Sequence, residues 1–184
     1  ITDSIFDIQG LGGPSSLVLS SNITPDGRLA VTGSLSGTTD IRRIAEWQKV
    51  PKAVINKISG ETSYQGELSV NQKQNGQVDL TIYSYLIGVN IDLPEPIGKK
   101  TQEAKLLQIK LMQHEDDIVV DTDYSSLSDA RFLLHDGDFI GGEVNFNKNS
   151  GKSFDSDIPS GLVVSGDFNR FDVQEWLSVL TDLS

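Results

Sequence analysis

Apolar and polar residues alternate with a period of two along most of the 184-residue chain. Because successive side chains of a β-strand point to opposite faces, this alternation predicts strands that have one buried face. Amphipathic strands of this kind favour an antiparallel sheet with one covered face over a parallel sheet. The apolar positions of the predicted strands are Leu17, Leu19, Leu29, Val31, Leu35, Tyr64, Leu68, Val70, Val78, Leu80, Ile82, Leu107, Ile109, Leu111, Val144, Phe146, Leu162, Val164 and Phe168.

Turn-forming residues separate the alternating runs. They are Pro25-Asp26-Gly27, Asn75-Gly76, Asp136-Gly137, Gly141-Gly142 and Asn149-Ser150-Gly151. Glycine, asparagine and aspartate accept the backbone angles of tight turns, and proline fixes one of them. Asn75-Gly76 stands between two alternating runs and therefore predicts a β-hairpin.

Two or three short helices are predicted beside the strands. The clearest begins at Asp172, whose side chain can accept hydrogen bonds from free backbone N–H groups, with Glu175 as the reciprocal partner. A second helix is predicted over 40–47 and a short third one over 51–59, where proline provides a favourable first residue. The apolar stripe of the first helix consists of Val173, Trp176, Leu177 and Leu180.

A weak internal repeat divides the chain into two predicted units. Residues 29–47 and 162–176 each have the pattern of an alternating strand followed by a capped helix that carries a tryptophan. The spacing from the capping aspartate to the tryptophan differs by three residues, so a chance similarity remains the alternative. On this basis, residues 1–47 are predicted to end a preceding β-unit, and residues 48–184 to form a β-unit closed by the C-terminal helix.

Charge and composition exclude several functional classes. The net charge of -11 and the pI of about 4.5 argue against sequence-independent nucleic-acid binding, which needs lysine and arginine to displace counterions. The same charge disfavours adhesion to an anionic bilayer by charge alone. The absence of cysteine rules out disulfides, thiolate zinc sites and a cysteine nucleophile. No apolar run approaches the roughly 20 residues of a membrane-spanning helix, so this chain is expected not to span a membrane.

Candidate chemical motifs each lack a required residue. Residues 135–138 hold one histidine and two aspartates, which cannot converge on a metal ion without further partners, and a solvated turn explains them. A calcium loop over 121–132 would need glycine at its sixth position and glutamate at its twelfth, and it has neither. A phosphate-binding loop ending at 151–153 would need a glycine where Phe146 stands. We therefore expect no catalytic residue, no metal and no cofactor.

The most specific stretch runs from Gly88 to Lys99 and reads Gly-Val-Asn-Ile-Asp-Leu-Pro-Glu-Pro-Ile-Gly-Lys. A strand that runs into Leu-Pro-x-Pro must stop pairing there, because neither proline can donate to the ladder. The stretch resembles a recurrent signature of the YhdP-like members of the AsmA superfamily, in which an acidic residue, here Glu103, follows. The signature residues are Leu93, Pro94, Pro96, Gly98 and Lys99.

The resemblance covers roughly residues 28–183. Residues 58–68 look like the strand ahead of the signature in that family, and 161–176 look like its strand-then-helix unit boundary. It implies a very long parent protein with one inner-membrane helix, extending through the periplasm of Gram-negative bacteria. It also implies an extended, curved antiparallel sheet, repeat-like along its length, whose apolar groove carries phospholipid acyl chains toward the outer membrane. The implied partners are these acyl chains and neighbouring units of the same parent chain, and the family has no catalytic residues to transfer.

The candidate groove residues are apolar positions of the central strands: Val78, Leu80, Ile82, Leu107, Ile109, Leu111, Val144 and Phe146. A lipid conduit would leave this apolar face open, whereas a β-sandwich with a recognition or scaffolding role would bury it internally. An enzyme of the carboxylate-pair kind would need two carboxylates about 5–10 Å apart in a cleft, and the sequence does not place such a pair.

Overall fold

The computed structural model of the chain describes residues 2–9, 12–25, 27, 29–47, 52–71, 77–146, 158–166 and 173–183. The fold is mainly β, as the alternating pattern predicts. The elements in chain order are β1 (Thr2–Gln9), β2 (Pro14–Ile23), β3 (Leu29–Asp40), α1 (Ile41–Trp47), α2 (Lys52–Ile55), β4 (Ile58–Ser59), β5 (Glu61–Asn71), β6 (Gln77–Ser84), β7 (Asn90–Ile91), β8 (Leu107–His114), β9 (Asp117–Tyr124), β10 (Ser128–His135), β11 (Asp138–Phe146), β12 (Gly161–Gly166) and α3 (Val173–Leu183).

Ten strands form one open, curved sheet in the order β1-β2-β3-β5-β6-β8-β9-β10-β11-β12. Neighbouring strands run antiparallel, as predicted, except for β11 and β12, which run parallel. A parallel neighbour requires a crossover connection rather than a hairpin, and the alternating pattern of β12 carries no signal of this. Strands β4 and β7 pair separately with each other.

The register sorts the side chains of the large sheet into two faces. Directly paired residues share a face, and residues along a strand alternate between faces. The row Leu68, Leu80, Leu111, Val120 and Phe132 crosses five neighbouring strands on what we name the apolar face. The adjacent row, one residue away on each strand, is Glu67, Thr81, Lys110, Asp121 and Arg131, on what we name the polar face. The period-two pattern is confirmed.

The polar face is organised by charged side chains. Arg131 donates from Nε and Nη2 to the two carboxylate oxygens of Asp121, at 2.7 and 2.9 Å. This hydrogen-bonded pair raises the pKa of Arg131. About a quarter of each side chain remains accessible to solvent. The polar face is therefore in contact with water, whereas the apolar face has to be covered by something else.

The chain leaves the large sheet twice at the same end of its strands. The first excursion, between β3 and β5, contains α1, α2 and β4, and the second, residues 85–106 between β6 and β8, contains β7. Ile58 and Ile91 are partners in the β4–β7 pair, which joins the two excursions. We name residues 41–47, 52–60 and 85–106 together the cap, and residues 85–106 alone the roof segment.

Several of the buried apolar side chains lie in the cap, whereas Tyr64 of β5, 5% exposed, lies on the sheet. Ile55, Leu86 and Val89 belong to the cap, and Val89 is 0% exposed. Ala130 of β10 is buried on the apolar face of the sheet below. Away from the cap, the apolar face on the central strands is only half-buried.

The predicted turn at Gly141-Gly142 is wrong, because both glycines lie within β11. A Cβ on Gly141 would be 1.9 Å from the backbone oxygen of Pro159, so a close approach rather than a turn requires glycine there.

The turn at Asp136-Gly137 is confirmed, with φ angles of 51° and 83°. β5 and β6 pair antiparallel, as the predicted hairpin requires, whereas its turn at Asn75-Gly76 lies outside the described residues, as do 149–151.

The predicted helices are present as α1, α2 and α3, but α2 ends at Ile55, and 58–59 of its predicted range form strand β4. Pro51 and Asp172 lie outside the described residues. Asp40 accepts a hydrogen bond from the backbone N–H of Arg42 at 3.0 Å and so caps α1. The stripe predicted for α3 is only partly right. Val173 and Leu177 are 55% and 56% exposed, because the helix turns the side that carries Val179 inward, next to α2.

One sheet passes through both predicted units. β3, from residues 1–47, pairs with β5, from residues 48–184, over the ten residue pairs from Val31–Val70 to Asp40–Glu61. The division of the chain at residue 47 stays a prediction.

Candidate functional site

An apolar groove with a volume of about 380 Å³ lies between the cap and the apolar face, and sites for small ligands typically have volumes of about 300–1,000 Å³. Polar side-chain atoms line it only at Thr122, Tyr124 and Ser128, so the groove suits hydrocarbon rather than a charged ligand. Its sheet side also has Leu107, Ala130, Phe132, Val144 and Phe146, and its cap side has Ile41, Ile58, Leu86, Val89, Ile91 and Ile97.

The register places all eight predicted groove residues on the apolar face. Leu107, Val144 and Phe146 line the groove itself. The other five, Val78, Leu80, Ile82, Ile109 and Leu111, lie on the same face of the neighbouring strands β6 and β8. All eight are half-buried, so they remain partly accessible. Their contact with lipid stays a prediction.

The apolar face continues from the groove toward both edges of the sheet. On one side, Leu17 of β2 lies opposite Leu35 of β3. On the other, Leu162 and Val164 of β12 are 58% and 60% exposed. The described strands form no second large sheet that could cover this face, so a closed sandwich does not describe them.

The roof segment is held over the groove by hydrogen bonds to its backbone carbonyls. The Tyr124 hydroxyl donates to the oxygen of Ile97 at 2.9 Å. The Lys105 ammonium donates to the oxygens of Pro96 and Gly98 at 3.1 and 2.7 Å, and it lies 5.4 Å from the centre of the Tyr124 ring. Burial, assisted by Glu103 and Glu95, raises the pKa of Tyr124 to about 12, so the hydroxyl stays a donor throughout the neutral range.

Lys99 is the most buried charged residue of the described part of the chain, with 2% exposure. Its ammonium donates to the backbone oxygens of Leu86, Val89 and Lys100 at 2.8, 2.6 and 2.9 Å. An ammonium has three protons to donate, so all of them are used inside the roof segment. Burial lowers the pKa of Lys99, while the carboxylate of Glu103 opposes this.

The signature residues therefore belong to the roof segment. A Cβ on Gly98 would be 2.0 Å from the oxygen of Leu93, so only glycine fits between the two sides of the loop. The Trp176 indole of α3 donates to the oxygen of Glu95 at 3.4 Å and supports the same loop. Ile97, between Pro96 and Gly98, lines the groove. The sequence marks these residues as a stiff loop but does not indicate what the loop covers.

Several groove residues are missed by the sequence argument. Leu86, Val89, Ile91 and Ile97 come from a segment with little regular secondary structure, and Ile41 begins a helix. The alternation of Val89 and Ile91 agrees with the strand predicted to run into Leu-Pro-x-Pro, but it does not indicate that this strand lines a groove. No local pattern distinguishes buried Lys99 from exposed Lys100 beside it.

A family model described as "YhdP protein" matches residues 3–184. The chain belongs to the YhdP family. The resemblance seen in the Leu-Pro-x-Pro signature is thereby confirmed, and it places the chain among the AsmA-like envelope proteins. Comparison with curated proteins and with solved structures found no match in either set.

Two further observations concern this YhdP-family chain. Within the described residues, none of the helices combines the length and the apolar character needed to cross a membrane. In the same residues, no cluster of three or more histidine, aspartate or glutamate side chains is arranged to hold a metal ion.

Proposed function

We propose that this chain is a non-catalytic periplasmic segment that binds phospholipid acyl chains along its apolar face. In this proposal, its parent is anchored in the inner membrane, and the segment contributes to phospholipid transport between the inner and outer membranes. The observation that carries the proposal is the continuous, half-exposed apolar face of a single open sheet, with a groove under the cap.

The dimensions of this face suit acyl chains. Ten strands at about 4.8 Å spacing extend over roughly 40 Å. One leaflet contributes about half of the roughly 30 Å hydrocarbon core of a bilayer, so the tails of a lipid are shorter than the face. Each methylene transferred from water to such a surface gains up to about 0.8 kcal/mol.

The exposure of the face also supports an apolar cargo. Soluble monomeric proteins rarely expose a contiguous apolar patch larger than a few hundred Å² unless it binds something. Here apolar residues form rows across successive strands, for example Leu80, Leu111 and Val120. The matching positions on the polar face are Thr81, Lys110 and Asp121. The two faces therefore provide a direct internal comparison.

The test uses a photoactivatable amino acid placed at Ile109 on the apolar face or at Lys110 on the polar face. The two positions are adjacent in β8, so they share the strand and differ in the face. After irradiation in a membrane-containing extract, mass spectrometry should find phospholipid attached at position 109 and little or none at position 110. Equal labelling at both positions, or none at either, would refute the proposal.

A second arm replaces Leu80 and Ile109 with aspartate together. Charged groups on the apolar face should abolish stoichiometric lipid, because an isolated carboxylate is strongly disfavoured next to hydrocarbon. The circular dichroism spectrum must stay that of the unmodified chain, since loss of lipid through unfolding does not count. Retention of lipid by the folded variant would contradict the proposal.

A further inference from the structure

The roof segment has little regular secondary structure and is held by loop backbone hydrogen bonds together with side-chain donors. Of residues 85–106, only Asn90 and Ile91 belong to a strand, which pairs with the two residues of β4 and forms one further bridge from Ile91 to Lys99. Lys99 contacts the carbonyls of Leu86 and Val89 at the start of the segment and of Lys100 near its middle. One ammonium therefore joins parts of the segment that are up to fourteen residues apart, from 86 to 100.

The backbone of Lys99 adds to this connection. Its N–H donates to the oxygen of Ile91 at 3.1 Å, and its oxygen accepts from the N–H of Ile91 at 2.9 Å. Ile91 and Ile97 both line the groove. Lys99 is thus hydrogen-bonded directly to Ile91 and lies two positions after Ile97 in the chain.

Direct contact of Lys99 with a lipid phosphate is not compatible with this geometry. The side chain is buried, and all three ammonium protons go to backbone oxygens. Burying an ammonium is costly, so the arrangement is expected where several carbonyls must be brought together. An apolar side chain of similar length could fill the space but could not donate to them.

We propose that Lys99 is a positioning residue whose ammonium holds the roof segment closed, so that Ile91 and Ile97 cover the groove and retain a hydrocarbon chain there. The first part concerns the conformation of this chain alone. The second part, retention of a hydrocarbon chain, rests on the proposed function. The experiment separates the two.

The first arm compares Lys99→Met with Lys100→Met by hydrogen exchange, without ligand. Methionine removes the ammonium from three carbonyls, of which Leu86 and Lys100 keep a backbone N–H donor. The amides of 86–100 should exchange about tenfold faster or more, while those of β8 and β9 are unchanged. The exposed neighbour Lys100 is the matched control and should behave like the unmodified chain. Unchanged exchange in Lys99→Met, or an equal rise in β8 and β9, overturns the proposal.

A rescue variant distinguishes a local effect of Lys99→Met on the roof segment from general unfolding. Ser59 and Asn90 are partners in the β4–β7 pair, and the chain has no cysteine of its own. Ser59→Cys with Asn90→Cys in the Lys99→Met background should, when oxidised, restore slow exchange in the roof segment. Reduction should reverse this. Fast exchange in the roof segment of the oxidised variant overturns the proposal.

The second arm measures binding of cis-parinaric acid, a fluorescent 18-carbon fatty acid. Lys99→Met should weaken its binding about tenfold, the equivalent of roughly two buried methylene groups, and the oxidised rescue variant should recover it. Unchanged affinity in a variant whose roof segment exchanges fast overturns the retention part. Absence of binding to the unmodified chain contradicts the proposed function, while the exchange arm still decides the conformational part.

Discussion

A cross-strand contact at Gly37 offers a prediction whose size can be worked out from the structure. Tyr64 of β5, Gly37 of β3 and Ser15 of β2 lie side by side in the register. The Tyr64 side chain passes over Gly37, and its hydroxyl hydrogen-bonds to that of Ser15, with both residues buried. A Cβ at position 37 would lie 2.6 Å from the oxygen of Pro14 and 2.9 Å from both hydroxyl oxygens.

Gly37→Ala should therefore destabilise the chain. Overpacking of this kind costs about 1–3 kcal/mol, and displacement of the Tyr64 hydroxyl adds about 1 kcal/mol for the lost hydrogen bond. Alanine in a strand regains about 0.5–1 kcal/mol over glycine. The net loss in unfolding free energy should be about 1–3 kcal/mol. Tyr64→Phe alone should cost about 1 kcal/mol, because Ser15 keeps an acceptor in the oxygen of Gly13 at 3.4 Å.

The double variant tests the geometry more strictly than either single one. Without the hydroxyl, the added methyl group at position 37 has one fewer clash, so the combined loss should fall short of the sum by about 1 kcal/mol. Urea unfolding measures each change in unfolding free energy, provided that the variants share the same m-value. Gly66→Ala is the matched control, since a Cβ there would meet its nearest atom at 3.2 Å. A neutral Gly37→Ala, or strict additivity with Tyr64→Phe, would show the reasoning to be wrong.

Two further predictions concern titrating groups. Because burial raises the pKa of Tyr124 to about 12, ultraviolet titration should show one tyrosine ionising with that pKa. Tyr124→Phe should remove this titration step. By deleting the hydrogen bond to Ile97, it should also lower the unfolding free energy by about 1 kcal/mol. The hydrogen bond to Asp117, with the charge of Asp136, raises the pKa of His135 above 6.5, so its stabilising contribution is complete below 6.5 and is lost as the pH rises through the raised value. A nuclear magnetic resonance titration should find this raised pKa in the unmodified chain and a lower one in Asp117→Asn; equal values would contradict the assignment.

The faces of the strands could be predicted from the sequence because the signal is local. A residue's face follows from its place in the alternation, so Leu80 and Leu111 fall on the apolar face whatever strand each meets. Hairpins follow for the same reason, since a turn such as Asp136-Gly137 is specified by its own residues. These features needed no knowledge of distant contacts.

The arrangement of the roof segment could not be predicted, because its positions are decided by distant partners. Val89 is buried where the roof segment returns over the sheet, and Lys99 is buried where carbonyls from three positions converge on it. Gly141-Gly142 was mistaken for a turn because glycine serves both turns and close approaches, and only the contact with Pro159 distinguishes them. The inward side of α3 was misjudged because its apolar residues lie on more than one side.

The position of the core decides which substitutions can change binding without changing stability. Two of the best-buried apolar side chains, Leu86 and Val89, belong to the cap that also forms the groove. Changes there should weaken folding and binding together, because the same contacts serve both. Leu80 and Ile109 lie on the same apolar face but are only half-buried, so replacing them removes less burial and disturbs the fold less. If acyl chains occupy this face, substitutions on β6 and β8 should reduce binding at nearly constant stability, whereas substitutions in the roof segment should reduce both.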